Sequence, residues 1–508
     1  MKDKLLFWLD QDFTHFGIGY YLQKKYESDF YAIIDITNKT KKFFEKQDLI
    51  KFQKVWYYFD NVSEKGKNLD LNYLQNIEKK YKINLWELAI NERIFYRFNN
   101  FYKFTDDEIL SILTQECKLF ESILDEVEPD FFITKQPNQH KDNLFYKICR
   151  ARGIKIIMLS QPKFAYHSTL TKESQKFDTA ETLDDLKDQG KTFDELRDIR
   201  KSFDNYKQIV GSSNKFAVSK TEKLKAAIQF LFLSDNSNIK THYTYYGRNK
   251  LRVLSHEIIS SLKKRSRKNF MDKHFLTKIE GNDKFIYFPL AVDEERTLLV
   301  DAPFFTNQLE IIRNIIKSMP IDYKLYVKET PSQRARKWRK ISEYKEMLEI
   351  PSVRMIHPYV SPVELYKKCS LAITVIGSAG LEAAFYEKPS IVFSDVNYAI
   401  LPSVSRIKSF DELSKAIHDS LNKKVVASDL EKYITLVKKN SFPADIFGLR
   451  TSQHAHFFYG GYLIDVDITI PKMKGFLEEN KSTFEKLADE NFEKIKEYKK
   501  ITNLDISN

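Results

Sequence analysis

A chain of 508 residues is too long for one hydrophobic core, and 42% hydrophobic with 14% aromatic residues excludes an intrinsically disordered class. The net charge of +12 is the difference between 82 basic and 70 acidic residues spread along the chain; no DNA- or RNA-binding motif accompanies it, and no nucleic-acid partner is expected. Cys117, Cys149 and Cys369 are widely spaced without a metal-binding pattern, which points to reduced structural thiols and a cytoplasmic setting.

In chain order, Lys4–Leu9 reads as a buried strand, followed by helical sequence from about Phe16 to Lys25. The apolar run in MKDKLLFWLDQDF is broken by Asp10 and Asp12, so it does not read as a secretory leader. No stretch approaches the ~20 apolar residues of a membrane span. Phe30–Ile34 and Val55–Phe59 are further strands, and Thr105 opens a long helix over Asp106–Glu126. Phe131–Thr134, a helix at Asn143–Arg152, Gly153 and Ile154–Leu159 form a βαβ unit, which implies a parallel sheet covered on both faces.

From Ser168 to Lys278 the sequence turns polar and helical in period, as expected of an insertion, a lid or a membrane-facing element. It contains the basic cluster Lys263-Lys264-Arg265-Ser266-Arg267-Lys268; Arg334, Arg336, Lys337, Arg339 and Lys340 follow later. These charges read first as solvated helix faces, and as a surface for anionic lipid or polysaccharide.

A second α/β run begins at Lys284. Phe285–Phe288, Thr297–Val300, Lys324–Val327 and Val353–Ile356 are expected strands, with helices at Asn307–Ser318 and Pro362–Cys369. Leu371–Phe393 then reads strand, small-residue turn, helix, strand. The turn Gly377-Ser378-Ala379-Gly380 opens a helix whose first amides are unpaired, a natural seat for a phosphate. Glu382, in that first turn, suits sugar hydroxyls. The alternative is an ordinary βαβ turn. Phe410–Leu421 and the tail Lys472–Lys500 are helical. The chain therefore predicts two Rossmann-like doubly wound α/β domains facing across a cleft, with a helical insertion.

The pieces YFPL (Tyr287–Leu290), APFFTNQLEIIRNI (Ala302–Ile315), YKLYVKETPS (Tyr323–Ser332), VRMIHP (Val353–Pro358), Leu365–Phe393 and SFDEL (Ser409–Leu413) stand in an informative order and spacing. Through them the chain resembles the capsule and surface polysaccharide biosynthesis glycosyltransferases, a group of GT-B type that includes the bacterial Kdo transferases of capsule assembly. The resemblance spans Lys284–Leu421. It implies transfer of a sugar from a CMP- or UDP-linked donor to a cell-surface or capsular polysaccharide or glycolipid, with no tightly bound cofactor.

By position it implies that Lys328, His357, Pro358, Gly377, Ser378, Ala379, Gly380 and Glu382 bind the donor, with Glu329 beside them. The family often reads KEHP where this chain has Lys328-Glu329-Thr330-Pro331. Thr330 can donate a hydrogen bond but cannot hold a positive charge. The implied division is an acceptor-side domain over 1–165, an insertion over 166–280, a nucleotide-sugar domain over 281–430, and helices over 431–508 that pack back toward the first domain. The implied location is cytoplasmic, with peripheral contact at the inner face of the membrane.

The residues themselves offer Asp12 and His15, in the first strand-to-helix loop, as general base, with Glu329 next in line; helix capping is the alternative for that loop. Asn138, Gln139 and His140 are candidates for the acceptor, and Asp395 and Asn397-Tyr398 for the donor. His454 and His456 lack a matching metal ligand nearby, so no metal site is expected. Two other readings share these features: a nucleotide-sugar 2-epimerase, and a non-catalytic polysaccharide-binding or assembly protein.

Overall fold

The computed structural model describes residues 2–62, 68–204, 208, 219–235 and 237–507. Parts of the expected helical insertion, at 205–207, 209–218 and 236, lie outside the described residues. Thirteen strands are found among those described: β1 Lys4–Asp10, β2 Asp29–Asp35, β3 Phe52–Tyr57, β4 Phe131–Lys135, β5 Lys155–Ser160, β6 His167–Thr171, β7 Lys284–Pro289, β8 Tyr323–Lys328, β9 Val353–Ile356, β10 Leu371–Thr374, β11 Ser390–Val392, β12 Val404–Arg406 and β13 Phe442–Pro443. The chain divides into two units. The first comprises Met1–Ser174, Phe203–Arg252 and Ser441–Asn508; the second comprises Gln175–Ser202 and Val253–Asn440. Residues 166–280 are thus shared between both units, and the C-terminal helices belong to the first.

The first unit's sheet runs β13-β6-β5-β4-β1-β2-β3. Strands β1 to β5 are parallel, and β6 and β13 are added by antiparallel pairing. Strand alternation builds two cores. Leu5, Phe7 and Leu9 enter one, and Leu6 and Trp8 the other. The order reverses between β1 and β4, so their carboxyl ends form the switch point where ligands of such sheets bind.

The second unit's sheet runs β12-β11-β10-β7-β8-β9, all parallel. This is the doubly wound order again, with its switch point between β7 and β10. Ile286 and Phe288 pack into one core, Phe285 and Tyr287 into the other. Both sheets are therefore Rossmann-like. Among the described residues, no helix is long and apolar enough to cross a membrane.

The Thr105 expectation is met in detail. Thr105 and Glu108 form a reciprocal capping box at the start of the helix Asp106–Val127. Thr297–Val300 is corrected: Arg296–Leu299 is a short helix, because so brief an apolar run carries no period to separate strand from helix. The short strands β6, β12 and β13 were not anticipated, since pairing rather than hydrophobicity defines them. Arg339 is corrected from a solvated position to a buried one, 4% exposed.

Gly17 lies within the helix Thr14–Leu22, beside the aromatic ring of buried Phe484 in the helix Lys481–Ser507. A Cβ at Gly17 would fall 2.1 Å from Phe484 Cε1, so the two helices meet because this residue has no side chain. Gly17→Ala is expected to destabilise the first unit by about 1–3 kcal/mol, the usual cost of overpacking, measured by urea unfolding.

Candidate functional site

In the second unit the turn after β10 lies at the switch point. Ser378 Oγ donates to Glu382 Oε1 (2.8 Å), and Arg200 Nη2 pairs with Glu382 Oε2 (2.9 Å). The Tyr398 hydroxyl donates to the Gly377 carbonyl. A Cβ on Gly380 would stand 2.8 Å from that same hydroxyl oxygen, so glycine here makes room for buried Tyr398. Ala379 opens the six-residue helix Ala379–Ala384. Asp395, another candidate, pairs with Arg406 at 2.7 Å.

Lys328 is the last residue of β8. Its Nζ donates to the Pro358 carbonyl (2.9 Å), tying it to the His357-Pro358 pair. Burial pushes its ammonium down to about 8, while the charges of Glu329 and Glu382 oppose that shift. Glu382 is thus within electrostatic reach of Lys328. His357 Nε2 bonds Asp272 Oδ1 (3.1 Å) from the helix Lys250–His274.

Glu329 is oriented differently, because successive strand residues point to opposite faces. Its carboxylate is fully buried and accepts from Arg339 Nε (2.9 Å), Tyr344 Oη (2.8 Å) and the Thr330 amide (2.7 Å). Arg339 also pairs with Asp293. With no exposed surface and three donors around it, Glu329 is a closed structural strut and no longer the next candidate for a base.

The first unit holds a cavity of about 370 Å³ at its own switch point. Its polar lining comes from strand ends: Asp10 closes β1, Asp35 closes β2 and Lys135 closes β4. Lys135 Nζ pairs with Asp10 Oδ2 (2.5 Å), and Lys141 Nζ with Asp35 Oδ1 (2.7 Å). Asp12 Oδ1 accepts from the Thr14 amide (3.1 Å), while Arg450 Nε donates to Asp12 Oδ2 (2.6 Å). Burial alone would raise the Asp12 carboxyl. The Arg450 and Lys135 charges outweigh it and hold the group well below the usual carboxylate range. Asp142 accepts from the amides of Asn138 (2.9 Å) and Gln139 (2.7 Å), and burial pushes it up to about 6.

Asp12, Asn138 and Gln139 therefore line this cavity, whereas His15 and His140 do not. His15 is buried in the helix Thr14–Leu22. Burial pushes it down to about 4 and leaves Nε2 without a hydrogen-bond partner. His140 is clamped between Glu92 (2.9 Å) and Glu116 (2.8 Å). His454 lines the cavity from the helix Ile446–Phe457; at i and i+2 on one helix, His454 and His456 cannot share a face. Among the described residues, no group of three or more His, Cys, Asp or Glu side chains is arranged to hold a metal.

Sequence reasoning missed Lys135, Lys141, Arg248 and Arg450. Lys135 carried a usable signal, a lone charge ending a buried strand. Arg248 and Arg450 carried none, because they reach the cavity from distant segments.

Residues 197–431 match the family described as capsule polysaccharide biosynthesis protein. No curated protein matches the chain in sequence. Solved structures with a loose likeness include the KpsC β-Kdo 2,7 transferase of Thermosulfurimonas dismutans (11% identity, 72% of this chain and 96% of that one, TM-score 0.29). Another is the UDP-GlcNAc 2-epimerase of Methanocaldococcus jannaschii (13% identity, 86% and 99%, TM-score 0.24). A third is the N-terminal domain of Candida albicans trehalose-6-phosphate phosphatase (10% identity, 86% and 94%, TM-score 0.30). These likenesses are too loose to assign an activity.

The His140 clamp makes stability depend on pH. Burial would lower its pKa, but Glu116 and Glu92 raise it to about 9, above the ordinary 6.5. Its contribution is fully present below the unfolded value and is lost as pH rises through about 9. Urea unfolding at about pH 6 and about pH 10 is expected to show a larger loss for the natural chain than for His140→Asn. Equal losses would show that His140 is not held charged.

Proposed function

We propose that this chain is a metal-independent GT-B glycosyltransferase that moves a sugar from a CMP- or UDP-linked donor to a cell-surface or capsular polysaccharide or glycolipid. The observation that carries the reading is the Gly377–Gly380 turn at the switch point of a Rossmann-like sheet, beside Lys328 and His357, within the region that matches the capsule family. In this reading the second unit binds the donor. The turn and Lys328 receive the phosphate that departs with the electron pair of the sugar–oxygen bond. The acceptor enters the cavity of the first unit; its hydroxyl oxygen bonds to the anomeric carbon, and Asp12 takes the proton in an inverting reaction. His15, as the alternative base, would have to become accessible.

Ser378→Asp sets a like charge against the phosphate and is expected to weaken CMP or UDP binding in calorimetry. Asp12→Asn is expected to lower turnover by about 10²-fold or more while nucleotide affinity is kept. Unchanged affinity in the first variant would remove the donor placement. Near-normal turnover in the second would move the base elsewhere.

A lipid-borne acceptor also calls for a membrane-facing surface, and the helix Lys250–His274 offers one. Ile258 and Leu262 are 64% and 68% exposed, and Lys263, Arg265 and Lys268 accompany them. Apolar side chains flanked by cations suit the surface of an anionic bilayer. In vesicle flotation the protein is expected to bind anionic but not neutral vesicles, and Ile258→Ser with Leu262→Ser to reduce binding. Equal recovery with both vesicle types would exclude this contact.

A further inference from the structure

The first unit's cavity is lined by four cations, Lys135, Lys141, Arg248 and Arg450. Three of them have a carboxylate of their own: Asp10 for Lys135, Asp35 for Lys141 and Asp12 for Arg450. Among the described residues Arg248 has none. There its Nε is buried without a hydrogen-bond acceptor, and its guanidinium lies over the rings of Phe101 (5.0 Å) and Tyr245 (5.8 Å). Burial lowers its pKa, as expected of a cation without a counter-charge. Arg248 is half-buried at the cavity wall, and a guanidinium is shaped to receive a carboxylate or phosphate through two parallel bonds.

The position is built rather than incidental. Gly247, just before Arg248, has φ of +73°, and a Cβ there would lie 2.2 Å from the Phe101 carbonyl oxygen. The backbone that presents Arg248 is therefore fixed against a neighbouring segment. A second unsatisfied group lines the same cavity. Gln11 Nε2 donates to Thr37 Oγ1 (3.1 Å), which leaves Gln11 Oε1 buried without a donor. One group lacks an acceptor and the other lacks a donor. A ligand carrying both an oxyanion and a hydroxyl would satisfy the two together.

We propose that Arg248 receives a carboxylate or phosphate on a hydroxyl-rich ligand, and that Gln11 Oε1 accepts one of its hydroxyls. The cavity thus selects an acidic sugar unit over a neutral one. This deepens the acceptor reading of the cavity and rests on it for the ligand's role. The unpaired guanidinium alone sets the ligand's charge.

The test is calorimetry on the full chain without any nucleotide sugar, using glucose, glucuronate, glucose 6-phosphate and inorganic phosphate as probes. At least one of the two acidic sugars is expected to bind roughly tenfold or more tighter than glucose, as a hydrogen bond to a charged group implies. The better of the two identifies carboxylate or phosphate as the preferred group. Inorganic phosphate, lacking the sugar hydroxyls, is expected to bind more weakly than the better acidic sugar. Arg248→Gln is expected to abolish the preference for acid, and Arg248→Lys to keep part of it, with melting curves reporting folding. Glucose binding as tightly as both acidic sugars would overturn the proposal, as would an acid preference that survives Arg248→Gln. Because no transfer is measured, these results are independent of whether the chain catalyses glycosyl transfer.

Discussion

A parallel strand covered on both faces has no room for a charged side chain except at its ends, and this constraint places the chemistry of the protein. β1 ends at Asp10, β2 at Asp35, β4 at Lys135 and β8 at Lys328. Most residues before them are apolar and enter the cores on either side of the sheet. Polar groups collect where the sheet stops, and the reversal of strand order opens a space there for them to face. Both candidate sites follow from this one requirement.

The buried charges fall into closed and open sets. In the second unit, Arg339 binds Glu329 and Asp293, and Tyr344 completes the Glu329 carboxylate. In the first, His140 binds Glu92 and Glu116, with the Tyr58 hydroxyl also on Glu116. Breaking either set by removing one partner leaves an uncompensated buried charge, which is why such clusters act as struts. The cavity lining is different. Its ion pairs stand at a wall that a ligand can reach, and one cation, Arg248, has no carboxylate partner among the described residues.

The region that matches the capsule polysaccharide family, residues 197–431, lies mostly in the second unit and includes the donor-type turn. The cavity residues of the first unit lie mainly outside it, before residue 197 and after residue 431. Arg450, Gln453 and His454 come from a helix that rejoins the first unit after the chain has built the whole second sheet. The family match therefore covers the Gly377–Gly380 turn and is silent on most of the cavity.

The sequence by itself determined the two α/β runs, most of the parallel strands and the Gly377–Gly380 turn, because these rest on local hydrophobic runs and small-residue punctuation. The Thr105–Glu108 cap was legible for the same reason. Asp12 was legible as a polar residue just beyond a buried strand, and Lys135 would have been by that rule. Only the tertiary structure decided what each polar residue does. Glu329 and Lys328 are neighbours in sequence, yet one is locked by Arg339 and the other is tied to Pro358 at the ligand side. His140, an acceptor candidate by its place after a strand, is closed on by Glu92 and Glu116, and Gly17, within an expected helix, is held there by Phe484 packed against it. Pairing, burial and packing are long-range contacts, and no local pattern of residues contains them.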